Sequence, residues 1–235
     1  MRMVHLYFMP NWFVGYNILL HIIFCIITLL VSLFAFRVHK MSGQRQPKLF
    51  SIAFLFVSLA FFIESIMNLL ILAELNEHVT LVLEDITSIA LFNFIINYAH
   101  IILFSIGLVT LAYMTFRVRS AKIYSLLLII TLVPLFFTSN PLYLYYLTSS
   151  ILLIYILAHY LINYLGKKQT RTLLVLFAFL LLLFGNIQVF FSISNHEIYY
   201  VIGHFIELIA YLLILMNLML VLKHEQKARP APGHS

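Results

Sequence analysis

The sequence predicts an all-α, polytopic integral membrane protein: a seven-transmembrane-helix bundle in a single domain. Two observations carry this. Of 235 residues, 63% are hydrophobic and only 9% charged, against roughly half apolar and a quarter charged in soluble domains. The charges are also confined, because Lys and Arg fall in a few short clusters separated by long uncharged stretches. Mean hydropathy is +1.05. A water-soluble enzyme, a coiled coil and a nucleic-acid-binding protein are excluded. At roughly 25 to 33 residues per helix and loop, the length admits about seven spans and no sizeable extra domain.

Taken in order, the apolar runs place spans at about 12–36, 49–73, 88–116, 123–140, 142–165, 172–192 and 198–222. All but the fourth reach the ~20 residues that cross a hydrocarbon core, and the fourth is short and stops at the Pro141 turn. The first run is longer than a signal-peptide core and lacks a small-residue cleavage site, so it is read as a retained helix. Residues 77–87, with Glu77, His78, Glu84 and Asp85, form either an interfacial helix or an extension of span three. Residues 223–235 are read as a short, basic, disordered tail.

The loops differ in charge. One side of the bundle receives Arg37, Lys40, Arg45 and Lys48, then Arg117, Arg119 and Lys122, then Lys167, Lys168 and Arg171, and last Lys223, Lys227 and Arg229. The other side has Arg2 with Glu74, Glu77 and Glu197. The positive-inside rule therefore puts the N-terminus outside and the C-terminus in the cytoplasm. With net charge +6, the basic residues suit lipid headgroups rather than nucleic acid. Membrane lipid is the expected partner, with a homo-oligomer or a larger membrane complex also open. The single cysteine, Cys25, can form no intrachain disulfide and reads as a small core residue.

The same basic clusters serve as a ruler for depth. His21 lies 16 residues before Arg37, Glu64 lies 16 after Lys48, and His100 lies 17 before Arg117. Asn186 lies 15 after Arg171, while His204 and Glu207 lie 19 and 16 before Lys223. At ~1.5 Å per residue, groups from five helices share a layer roughly 25 Å above the basic side, in the outer half of the bundle. Asn93, Asn97 and His100 follow helical spacing along one stripe, Glu64 and Asn68 are one turn apart, and His204 and Glu207 share a face with Tyr200 and Tyr211. Gln188 stands near Asn186. His159 and Asn163 lie near the basic side and read as a snorkelling pair, whereas Tyr143, Tyr145 and Tyr146 read as an outer aromatic belt.

Ionisable groups inside a span are expensive unless paired, which marks this layer as a candidate site. Neutral imidazoles from His21, His100 and His204, with Glu207 or Glu64 to balance charge, suit a transition metal such as Zn, Cu or Fe. Asn68, Asn93, Asn97, Asn186 and Gln188 would form a supporting polar shell. Two of the three histidines could instead hold a single haem b axially. The competing reading of each lone histidine is a hydrogen bond between helices. Three further functions fit the composition: a proton- or cation-coupled transporter or channel, a metal-dependent intramembrane hydrolase, and a structural subunit of a membrane complex. Whether the protein is an enzyme stays open. There is no phosphate-binding glycine loop, His-Glu-x-x-His, Gly-x-Ser-x-Gly or Cys-x-x-Cys motif. With 7 glycines and 6 prolines, few helices are broken, which weighs against alternating access.

Helix count and orientation resemble those of the rhodopsin-like seven-helix proteins, in architecture alone. No Lys or Arg falls inside any span, and between Gly203 and Leu222 there is no amine to form a Schiff base. Covalent retinal is therefore not expected. The three-plus-one-plus-three sugar carriers share the count, but the chain lacks their proline–glutamine pair and any clear internal repeat.

Overall fold

Uninterrupted apolar sequence has one economical outcome in hydrocarbon, the helix, because it satisfies every backbone group within the segment. A computed structural model describes residues 10–77, 83–116, 119–193 and 197–228, with side-chain surroundings except at 11, 14, 67, 71–77, 83–94, 167, 170, 171 and 224–228. Among the described residues, a 3-10 turn at Asn11–Phe13 is followed by seven helices: α1 (Val14–Ser42), α2 (Arg45–Glu77), α3 (Leu83–Thr115), α4 (Ala121–Phe137), α5 (Pro141–Lys167), α6 (Thr170–Ser192) and α7 (Glu197–Ala228). Six are long and apolar enough to cross a membrane, and α4, with 17 residues, is a shorter apolar helix. The chain is a multi-pass membrane protein.

Helix ends extend past the apolar runs into the basic clusters. α1 carries His39 and Lys40 in its last turn, favourable beside the negative end of the helix dipole. It stops where Gly43 turns left-handed at φ 68° and returns its N–H to His39 O at 2.8 Å. Asn140 opens α5 by accepting the Tyr143 N–H at 3.2 Å ahead of Pro141. Residues 83–87 belong to α3, so the helix starts earlier than the apolar run expected from 88, while its apolar, span-length part is Ile95–Thr115. Residues 78–82 and 229–235, including His78 and most of the predicted tail, lie outside the described residues.

The helices close into a ring that sequence order alone does not give. α1 packs on α2 and α7, α2 on α3, α5 on α6, and α6 on α7. α3 packs directly on α5, so α4 lies outside the ring against these two helices. Only Thr131 and Leu135 of α4 are buried, and Phe137 at its end is 85% exposed. The ring interior holds Phe24, Phe54, Phe61, Ile156, Phe179 and Tyr211, while Leu19, Leu33, Leu55, Ile130 and Ile162 form the outward apolar face that lipid covers.

Small residues set the helix registers. Between α1 and α2, Ser32 donates to Ser51 O at 2.8 Å and Ser58 to Cys25 O at 3.0 Å, the small-polar packing that replaces hydrophobic drive in lipid. Gly107 of α3 lies so near α2 that a Cβ would stand 2.8 Å from Val57 Cγ2 and 2.9 Å from Ala53 O. Gly185 of α6 and Gly203 of α7 approach each other reciprocally: a Cβ on either would stand 2.9 Å from the other's carbonyl oxygen. Gly203→Ala should therefore destabilise the bundle by about 1–3 kcal/mol through overpacking, against a backbone gain below about 1 kcal/mol. Gly15→Ala, with nothing within 4 Å of a Cβ, should leave the detergent unfolding midpoint unchanged or raised. Equal midpoints for the two variants would contradict the close crossing.

Candidate functional site

The registers set by small residues carry the polar side chains to one place. On α3, His100 stands two turns before Gly107; on antiparallel α2, Ala60 stands two turns after Ala53. His100 Nδ1 accordingly lies 3.3 Å from Ala60 O, and 2.8 Å from Glu64 Oε2 one turn further on. α1 and α7 run parallel in step: Tyr200 donates to Asn17 Oδ1 at 3.1 Å, and one turn on the rings of His21 and His204 meet edge to face at 5.5 Å. The Gly185–Gly203 crossing brings α6 within reach of Glu207, whose Cγ would be 2.8 Å from a Cβ at Gly185.

These side chains line a cavity of about 50 Å³ inside the ring, to which every ring helix contributes. His21, Glu64, His100, His204 and Glu207 stand in its wall with Asn97 and Asn186. It has room for a few waters or one small ion.

The carboxylates are already engaged. Glu64 Oε2 bridges His100 Nδ1 at 2.8 Å and His21 Nε2 at 3.8 Å. Glu207 Oε2 lies 3.0 Å from His204 Nδ1 on the same helix. A carbonyl oxygen can only accept, so the Ala60 contact places a proton on His100 Nδ1; an ionised Glu207 does the same for His204 Nδ1. Among the described residues, three buried side-chain polar atoms have no hydrogen-bond partner: His21 Nδ1, His204 Nε2 and Asn217 Oδ1. Two of the three belong to this cavity's imidazoles. Packing here is aromatic, with Phe61 stacked on His21 at 5.8 Å and Tyr200 edge-on to His204 at 4.3 Å.

Among the described residues no three His, Cys, Asp or Glu side chains form a ready-made metal cluster. The carboxylates are spent on imidazoles instead of converging on a shared point. Asn186 is tied by its Nδ2 to Tyr146 O at 3.0 Å and Ser150 Oγ at 2.8 Å, holding α6 to α5. Asn68 and Gln188 are half-buried and outside the cavity wall, while the Asn93 side chain lies outside the described ones. His159 and Asn163 pair with each other at 2.7 Å, away from the site.

One expectation is corrected. Tyr143 is exposed as an outer-belt residue would be, but Tyr145 is 4% exposed and faces the His100 ring at 6.2 Å. Consecutive aromatic residues on a helix point to different faces, and α4 outside the ring covers this part of α5. Asn17 and Phe61 were missed as site neighbours. Asn17 had a readable signal, since it precedes His21 by one turn on the same face. No family model, curated protein sequence or solved structure matches the chain.

Removing one partner of a buried pair strands the other. Glu207→Leu should cost about 1–3 kcal/mol, and Glu207→Gln, which keeps an acceptor, less. In a double-mutant cycle read by detergent unfolding midpoints, His204→Leu combined with Glu207→Leu should cost less than the sum of the singles by at least about 0.5 kcal/mol. Additive losses would mean that the two side chains are not coupled.

Proposed function

We propose that this is a seven-span membrane protein, N-terminus outside and C-terminus cytoplasmic, that holds one transition-metal ion (Zn, Cu or Fe) in the outer half of its bundle. The orientation is supported by the basic clusters at 37–48, 117–122, 167–171 and 223–229, which fall at every second connection and after the last apolar run. α4, at about 25 Å long, is near the lower limit for a span.

One observation carries the metal reading: His21 Nδ1 and His204 Nε2 are buried without partners, and both residues line the same small cavity. A buried nitrogen lone pair that no protein group satisfies calls for an explanation, and imidazole nitrogen is a preferred ligand for these metals. His21, His100 and His204 are the ligands in this reading. Glu64 and Glu207 orient rings through Nδ1, as carboxylates commonly do behind metal-bound histidines. The bound ion would supply a Lewis-acid centre or, as Cu or Fe, a one-electron couple, in a sensory, electron-transfer or structural role. The cavity favours an ion over haem b, since pockets for molecules of that size run to about 300–1,000 Å³.

A second reading rests on Glu64, which lies between His21 and His100 and so could pass a proton or cation from one to the other in a carrier. Elemental analysis of the purified protein separates the two. The metal reading expects near-stoichiometric Zn, Cu or Fe, lost when His100→Ala and His204→Ala are combined. A metal-free protein that drives proton flux in liposomes, with flux abolished by Glu64→Gln, would overturn it in favour of the carrier. A Soret absorbance band would overturn it in favour of haem.

A further inference from the structure

The third unpartnered polar atom lies at the other end of the bundle. Asn217 of α7 is 7% exposed, and its Oδ1 has no partner among the described residues. It stands in the wall of a second cavity, about 190 Å³, beside the α1–α2 connection. Phe50, Met114, Tyr160, Val175 and Ile214 make the apolar wall around it, and Gln44 and Gln46, both exposed, stand at its open rim on that connection. Between the two cavities the ring is filled by Phe54, Leu108, Leu111, Leu153, Leu182 and Tyr211, which leave only about 20 Å³ of space. The lower cavity is therefore a separate compartment from the histidine site.

We propose that this cavity is a binding site for a compact, neutral, ring-sized apolar molecule carrying one hydrogen-bond donor, such as a monocyclic phenol. Three observations select that chemistry. Size admits a six-membered ring, since an apolar cavity of about 150 Å³ already takes benzene. None of the described lining residues is charged, so an ionic ligand would be desolvated without compensation. The Asn217 Oδ1 is an acceptor without a donor, and a hydroxyl or N–H on the ligand completes it. Arg45, on the α1–α2 side of that end, is engaged on α3, donating to Tyr113 Oη at 3.0 Å with its guanidinium 5.4 Å from the Tyr113 ring centre.

Fluorine NMR of the full chain in lipid nanodiscs, titrated with para-fluorophenol and with para-fluorotoluene, tests this directly. The two probes share size and differ in the donor. Saturable binding is expected for both, with the phenol tighter by about tenfold, the worth of one well-made hydrogen bond. Asn217→Leu, close in volume, should bring that preference to near unity, and Gly15→Ala, with nothing within 4 Å of the added Cβ, should leave it unchanged. Equal binding of the two probes by the unaltered chain, or no saturable binding of either, overturns the proposal without recourse to any variant. A preference that survives Asn217→Leu assigns the donor contact elsewhere and overturns it too.

Discussion

The contact on which the rest of this structure depends is between Glu64 and His100, at 2.8 Å across α2 and α3. An ionised carboxylate facing hydrocarbon costs several kcal/mol. Glu64 cannot turn outward, and whatever faces it must supply a donor. His100 does so, with a second acceptor in Ala60 O to hold its ring. His21 comes within 3.8 Å from α1, so three helices converge on one oxygen. The same reasoning applies on α7, where Glu207 meets His204 Nδ1 on its own helix before any neighbour is involved, and only Nε2 is left over.

Polar pairing states what must meet, and small residues decide whether it can. Gly107 against Ala53, Gly185 against Gly203, and the serines between α1 and α2 let backbones approach where larger side chains would hold them apart. Because helices are rigid rods, a close crossing at one level sets every contact above and below it. Gly107 thus positions His100 two turns away, and the Gly185–Gly203 crossing positions Glu207. The site inherits its geometry from packing that contains no functional group.

Much of this was readable in the chain, for physical reasons that can be named. Apolar runs separated by basic clusters, with the Pro141 turn between the fourth and fifth, marked out the seven helices. Counting from basic residues put His21, Glu64, His100, Asn186, His204 and Glu207 at one level, and they line one cavity, because rise per residue along a helix is constant. What stayed hidden was lateral. Lipid outside and core inside are equally apolar, so Leu19 and Leu20 look alike in sequence though one faces out and the other in. That is why the packing of α3 on α5, the exclusion of α4 and the inward turn of Tyr145 had no signal. The pairing of Glu64 with His100 and His21 depends on the same lateral order. Asn217 was legible as a polar residue within a span, but the cavity beside it is a product of tertiary packing.

The central claim is that His21, His100 and His204 present their free ring nitrogens to one ion while Glu64 and Glu207 hold rings in place. X-ray absorption at the metal edge of the metal-loaded protein tests it most directly. The claim predicts three nitrogen neighbours at about 2.0–2.1 Å for zinc, with the outer-shell scattering of imidazole rings, and one fewer such ring in His21→Leu. A first shell dominated by carboxylate oxygen, or a spectrum unchanged by His21→Leu, would contradict it.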